Sequence, residues 1–236
     1  MTSIETLLDR QFRRWEQQQR YVAEQSVPVE KPPPIITVSR QTGSRGSYFA
    51  SRLAQQLDYQ RIHREVVDAV CHSSGYRRRI VETLDEHYRS RLEILVDGIL
   101  TGQAVDNSDY TRHLCRVILS MSRLGGVVLV GRGGSFILGR RRGLHLRLIA
   151  PKDRRVRNLV TYKQLPPFKA EAEIERSDRL RREFVYKLFG ADIDDPANYD
   201  LVINTDYIDV EELVESVIVA YRGKMDKLAH LDHDTR

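Results

Sequence analysis

The chain has 236 residues, 41% hydrophobic and 30% charged, with a formal net charge of +5. That is enough chain to bury the core of one medium domain, and the balance excludes a disordered one. No apolar run reaches the roughly 20 residues of a membrane span.

Acidic residues come too early in the N-terminal stretch for a secretory signal. Cys71 and Cys115 have neither metal-ligand spacing nor a disulfide framework around them, so a cytoplasmic location is expected. A pI near 9.2 suits nucleic acid and small anions equally.

Residues 1–27 are expected to form an amphipathic helix, with Leu8, Phe12, Trp15 and Val22 near one face. That face either packs on its own domain or makes the chain a homo-oligomer by meeting a second subunit. Residues 28–34 read as a stiff proline-rich linker, 35–223 as the main domain and 224–236 as a polar tail.

The main domain opens with an apolar strand at 35–38. A turn bracketed by Gly43 and Gly46 follows, then a helix with Ala50, Leu53, Ala54 and Leu57 on its inner face. A short strand at 59–62 precedes a helix carrying Arg64, Glu65 and Cys71, which Ser73-Ser74-Gly75 breaks. Two helices come next, one on Leu92, Leu95, Val96 and Ile99, the other on Leu114, Val117, Ile118 and Met121, with a polar loop at 101–109 between them. The β-branched run 127–130 reads as a central strand ending in Gly131-Arg132-Gly133-Gly134.

In the next strand, 144–150, Leu144, Leu146 and Leu148 alternate with His145 and Arg147. A helix with Arg154, Arg155 and Arg157 follows, and a second, 169–188, bears Arg176, Arg179, Arg181 and Arg182. The last strand is 200–205. Asp209-x-x-Glu212 is a capping box for a final helix on Leu213, Val214, Val217 and Ile218, which Gly223 can end. Strands alternating with helices predict an α/β fold, a parallel five-stranded sheet flanked by helices, with ligands beyond the carboxyl ends of the strands.

Strand, glycine turn and helix start make an anion site, because turn N–H groups and the positive helix end converge on one volume. Ser47 is placed to cap that helix or to offer its hydroxyl to a phosphate-bound Mg²⁺. Arg40 and Arg45 add charge for several phosphates. The turn lacks the lysine of the G-x-x-x-x-G-K-[ST] pattern. Arg45 is the loop side chain best placed to supply that charge, with Arg40 at the entrance as competitor.

Four segments carry a resemblance to the cytidylate kinase-like family of P-loop nucleoside monophosphate kinases. ITVSRQTGSRG is similar to that family's lysine-free opening loop, VVLVGRGGSFIL to the strand and GR turn of cytidylate kinases, ERSDRLR to their arginine-rich lid, and NYDLVINTDYIDVEELVE to their last strand and helix. The resemblance implies a helical lid and an activity: phosphoryl transfer from ATP-Mg²⁺ to a nucleoside monophosphate, CMP above all.

By position, Gly43, Ser44, Arg45, Gly46 and Ser47 would cradle the donor phosphates and Arg132 would hold the acceptor's phosphate. Arg176, Arg179 and Arg181 would neutralise the transferred group. Arg64 and Glu65 either line the acceptor pocket or form a local surface pair. Set against true cytidylate kinases, the chain departs at the absent lysine and at Gly133, where their GRD aspartate would stand. Loss of the lysine leaves an alternative reading, a non-catalytic nucleotide-binding or regulatory protein. Nucleic acid binding has little support, since aromatic and basic residues do not interleave.

Overall fold

The apolar run after the proline-rich segment forms the middle of the sheet. In the computed structural model, which describes residues 4–25, 34–84, 86–101 and 108–233, this run is β1 (Ile36–Arg40). It lies between β3 (Val127–Val130) and β4 (Leu144–Ile149), while β2 (Gln60–His63) and β5 (Leu201–Asn204) take the edges in the order β2-β3-β1-β4-β5. Every pairing is parallel, and Val38 stands opposite both Val130 and Leu146. The loops after β1, β3 and β4 therefore open on one edge, as the sequence predicts.

Helices cover both faces. On one, Phe49, Ala50 and Leu53 of α2 (Gly46–Gln56) meet Val214 and Val217 of α10 (Val210–His233) over Val38, Val128 and Leu146. The other face carries α3 (Arg64–His72), α5 (Glu86–Thr101) and α6 (Asp109–Leu124), whose apolar stripes join Ile62, Val127 and Leu129. α7 (Gly134–Leu138) follows the β3 turn. α8 (Lys152–Lys163) and α9 (Pro167–Phe189) form an arginine-rich arm with its own small core of Leu159, Ala170 and Ile174.

β4 is buried on both sides, so its alternation of leucine with His145 and Arg147 does not mark a solvent face. The polar pair is satisfied internally. His145 Nδ1 lies 2.8 Å from Thr37 Oγ1 and its Nε2 2.9 Å from the Gly139 carbonyl oxygen, while Arg147 donates to Ser39 Oγ at 2.8 Å and pairs with Asp194.

Three expectations change and a fourth is decided. Residues after the serine break form an extra helix, α4 (Ser74–Glu82), which buries only Ile80 and so shows little periodicity. Ser47 does not cap α2, because the cap position is Arg45 in a left-handed conformation and Ser47 sits in the first turn. Gly223 does not end the last helix: α10 runs to His233, held by Met225 against the core and by a Lys224–Asp200 pair at 2.7 Å. The intended tail is thus helical over most of its length.

The fourth concerns α1 (Ile4–Gln25). Its Leu8, Phe12 and Trp15 are buried in the same core as α3 and α6, so of the two readings left open for this face, packing on its own domain is the one the structure realises. Trp15 Nε1 donates to the Gly125 carbonyl at 3.1 Å. Phe12 stacks with Tyr76 at 6.1 Å, and Arg79 bridges Asp9 and Glu16 above it. The Val22 side chain, linker residues 27–33 and loop residues 102–107 lie outside the described residues. Among the described residues no helix is long and apolar enough to cross a membrane.

Trp15→Ala empties a fully packed site and leaves the Gly125 carbonyl unpaired. It is expected to lower the unfolding free energy by about 3–5 kcal/mol, measured by urea denaturation followed by circular dichroism. A loss below 1 kcal/mol would show that α1 is not part of the cooperative core.

Candidate functional site

β1 delivers its last residue, Arg40, to the open edge of the sheet, and the chain then turns through Gly43 (φ 82°) and Arg45 (φ 58°) into α2. No side chain caps α2, so the N–H groups of its first turn stay available. The turn is braced from inside. Ser44 is buried and donates to the Gln41 carbonyl at 2.9 Å, and the Gly43 carbonyl accepts from Asn158 Nδ2 at 2.8 Å. A β-carbon at Gly43 would lie 2.6 Å from the Arg155 carbonyl oxygen, so α8 closes the outer side of the turn only because residue 43 is glycine.

Arg40 crosses this turn. Its β-carbon lies 2.6 Å from where a Gly46 side chain would begin, and its Nη1 lies 2.9 Å from the same point on Gly131. The guanidinium thus runs from β1, over the start of α2, to the turn after β3. No acid pairs with it, and its buried Nε has no hydrogen-bond partner among the described residues. Burial, then the charges of Arg181, Arg64 and Arg147, push its pKa down to about 9 despite Glu65. A half-buried cation among cations, with its Nε buried and its guanidinium in the cavity wall, is suited to seat an anion.

Arg45 is placed differently. Its guanidinium lies over the rings of Tyr48 and Tyr162, 5.1 and 5.6 Å from their centroids, on the outer side of the turn.

The turn after β3 holds Gly131, Arg132 and Gly133, all at positive φ. Arg132 is bidentate to Asp68 of α3, Nε to Oδ1 being 2.7 Å, and lies over the Phe184 ring. Tyr110 donates to the same carboxylate at 3.0 Å. A side chain on Gly133 would run into the Phe189 ring, which accounts for glycine where the resemblance implies aspartate.

The arm supplies the third set of charges. Arg181 donates to Thr42 Oγ1 at 2.6 Å and to the Arg40 carbonyl at 3.2 Å. Arg176 pairs with Glu173 at 2.7 Å. Arg179 points away: it is 65% exposed, pairs with Glu183 and borders neither of the two cavities described below, so the structure does not bring it to the site.

Two cavities result. One, of 370 Å³, lies between the β1 and β3 turns and α9, with Arg64, Glu65, Arg132, Arg176 and Phe184 in its wall. Burial alone would raise the Glu65 carboxyl, but Arg64, its own backbone N–H and His63 hold it at about 2. The other cavity, of 490 Å³, lies under the glycine turn against α8 and is lined by Tyr48, Asn158, Leu159 and Tyr162. Arg40, Ser47, Lys163 and Arg181 border both.

Sequence reasoning missed Lys163, the only lysine in these walls, because it lies 117 positions beyond Gly46 in the chain (163 − 46). It also missed Asp68 and Asp178, since nothing local marks the partner of a distant arginine.

A parallel sheet of this order, with a glycine turn feeding a helix and an arginine-bearing arm over its edge, is the architecture of a P-loop kinase-like protein. A family model described as the cytidylate kinase-like family matches residues 35–207, and the chain belongs to that family. Over 119 residues, 50% of the chain, it is 37% identical to a uronate isomerase from Corynebacterium glutamicum, and that match spans 23% of the relative's length. A crystal structure of an uncharacterized protein from Eubacterium ventriosum aligns over 80% of this chain and 98% of its own, at TM-score 0.63 and 17% identity, a likeness of fold.

Arg40 yields a double expectation. Arg40→Met is expected to raise the melting temperature in low-salt, phosphate-free buffer, because an uncompensated charge is removed. The same change is expected to weaken pyrophosphate binding about 30-fold or more by calorimetry, as for a lost charge-assisted contact. Unchanged pyrophosphate affinity would take Arg40 out of the anion seat.

Proposed function

We propose that this protein is a nucleotide kinase that transfers the terminal phosphoryl group of ATP-Mg²⁺ to a nucleoside monophosphate, with CMP as the acceptor its family suggests. The observation that carries this reading is the junction of two cavities at one cluster of cations, Arg40, Arg181 and Lys163, beside an uncapped helix start. Phosphoryl transfer needs two ligands brought in line and charge stabilised between them.

In this reading the larger cavity takes the donor, its base against Tyr48, Leu159 and Tyr162 and its phosphates along the glycine turn. The smaller takes the acceptor, whose phosphate meets Arg132, Arg176 and Arg64. An acceptor phosphate oxygen attacks the terminal phosphorus of the donor, the bond to the bridging oxygen breaks, and the electron pair leaves on the diphosphate. The attacking oxygen is already ionised at neutral pH, so no catalytic base is required. Arg40 and Arg181 stabilise the charge that spreads over the transferred oxygens.

No group of three or more His, Cys, Asp or Glu side chains able to hold a metal occurs among the described residues. Ser47, exposed in the first turn of α2, suits a Mg²⁺ held chiefly by phosphates and water. Bound there, the ion would supply charge neutralisation and polarisation of the donor phosphates.

One observation favours nucleotide binding without turnover as a second reading. Arg132 already has its carboxylate in Asp68, so an acceptor phosphate must share or displace it.

A coupled assay across the monophosphates with ATP, paired with calorimetric titration of ATP and CMP, separates the readings. Turnover with CMP is expected, binding of both without turnover would establish the second, and binding of neither would overturn both. Arg132→Ala is expected to weaken CMP binding by about 2–4 kcal/mol. It should also lower thermal stability, because Asp68 loses its partner. Unchanged CMP affinity in the folded variant would remove Arg132 from the acceptor site.

A further inference from the structure

The most fully satisfied anion beside the glycine turn is one of the chain's own side chains. Asp178, midway along α9, is 12% exposed. Its Oδ1 accepts from the Thr42 backbone N–H and the Thr42 hydroxyl, each at 2.8 Å, and from Arg181 Nη1 at 3.0 Å. Its Oδ2 accepts from Arg155 Nη1 at 2.6 Å. A backbone N–H of a glycine turn, a hydroxyl and two guanidinium groups are donors of the kind that hold phosphate oxygens at such turns.

Two of these donors face another way as well. Thr42 and Arg181 border the 490 Å³ cavity, whereas Asp178 sits behind them, in a recess it shares with Gln41 and Arg147. Thr42 and Arg181 therefore stand between an internal carboxylate on one side and the proposed donor cavity on the other. Arg40 differs from them in pairing with no carboxylate among the described residues. The two Thr42 contacts of Asp178 tie α9 to the turn, and Arg181, one turn along α9, holds the carboxylate in place, so whatever draws the Thr42 N–H and Arg181 away from Asp178 loosens that tie.

We propose that Asp178 is an internal stand-in for a bound anion: it latches α9 onto the glycine turn, and an entering polyphosphate competes with it for the Thr42 N–H and Arg181, releasing the latch. The proposal rests on reading the turn as a polyphosphate seat, and it goes beyond that reading by making α9 responsive to the seat being filled. Asp178 acts through Thr42 and Arg181 and is a positioning residue.

The test uses inorganic tripolyphosphate, which carries no nucleoside and cannot report on transfer. In calorimetry on the full chain, Asp178→Asn is expected to bind tripolyphosphate about tenfold more tightly than the parent, and the ligand-free variant to melt at a lower temperature. Equal or weaker binding by the folded variant, or no binding by either protein at millimolar ligand, would overturn the proposal.

Amide exchange in the parent decides the matter if the variant does not fold. Faster exchange in residues 176–184 on adding tripolyphosphate supports release, and unchanged or slower exchange refutes it. A parent without nucleotide turnover whose Asp178→Asn form gains tripolyphosphate affinity would remove the kinase reading and keep the latch. A parent that turns over nucleotide while the variant gains nothing would remove the latch alone.

Discussion

Holding a half-buried guanidinium without a paired acid among the described residues costs free energy, and this chain bears that cost at Arg40, whose Nε is buried and unpartnered. The surrounding architecture makes the placement possible. β1 must be the middle strand for its last side chain to reach both neighbouring turns, and Gly46 and Gly131 must lack side chains for the guanidinium to pass. A core arginine would be matched by an acid, as Arg147 is by Asp194. The absence of such a match at Arg40 among the described residues marks this edge of the sheet as the candidate site.

The neighbouring arginines show the contrast. Arg132 is answered by Asp68, Arg155 and Arg181 by Asp178, and Arg176 by Glu173. These pairs fix guanidinium groups in place while lowering the net field they project. An incoming phosphate would meet Arg40 at the centre without a paired acid among the described residues, and around it several arginines already committed. Affinity then depends on how readily the internal carboxylates yield, which residue counting alone does not reveal.

The strands, their parallel arrangement and the glycine turn could be read from the sequence because each leaves a local signature. Val127 to Val130 is a β-branched run, Gly43 and Gly46 bracket a turn, and Ala50, Leu53 and Ala54 keep helical spacing. Long-range pairing leaves no such mark. Arg40 and Arg45 are equivalent by type and distance along the chain. What separates them is a pair of tyrosines, Tyr48 and Tyr162, that captures Arg45, and a groove between two glycines that captures Arg40. The same holds for α1, whose stripe of Leu8, Phe12 and Trp15 shows that it docks but not on what. The end of α10 misled because glycine in a helix costs only about 1 kcal/mol against alanine, less than the contacts of Met225 and Lys224 beyond it return.

Gly133 and Phe189 constrain how this chain can be redesigned. The Phe189 ring lies where any side chain at 133 would go, and Phe189 also stacks on Phe136 at 5.5 Å in the core beneath. An aspartate at 133 therefore requires a smaller residue at 189, while shrinking 189 alone opens a void under the arm. Each single step is disfavoured where the paired step is not. The two positions are coupled, and an aspartate can be built at 133 only together with a change at 189.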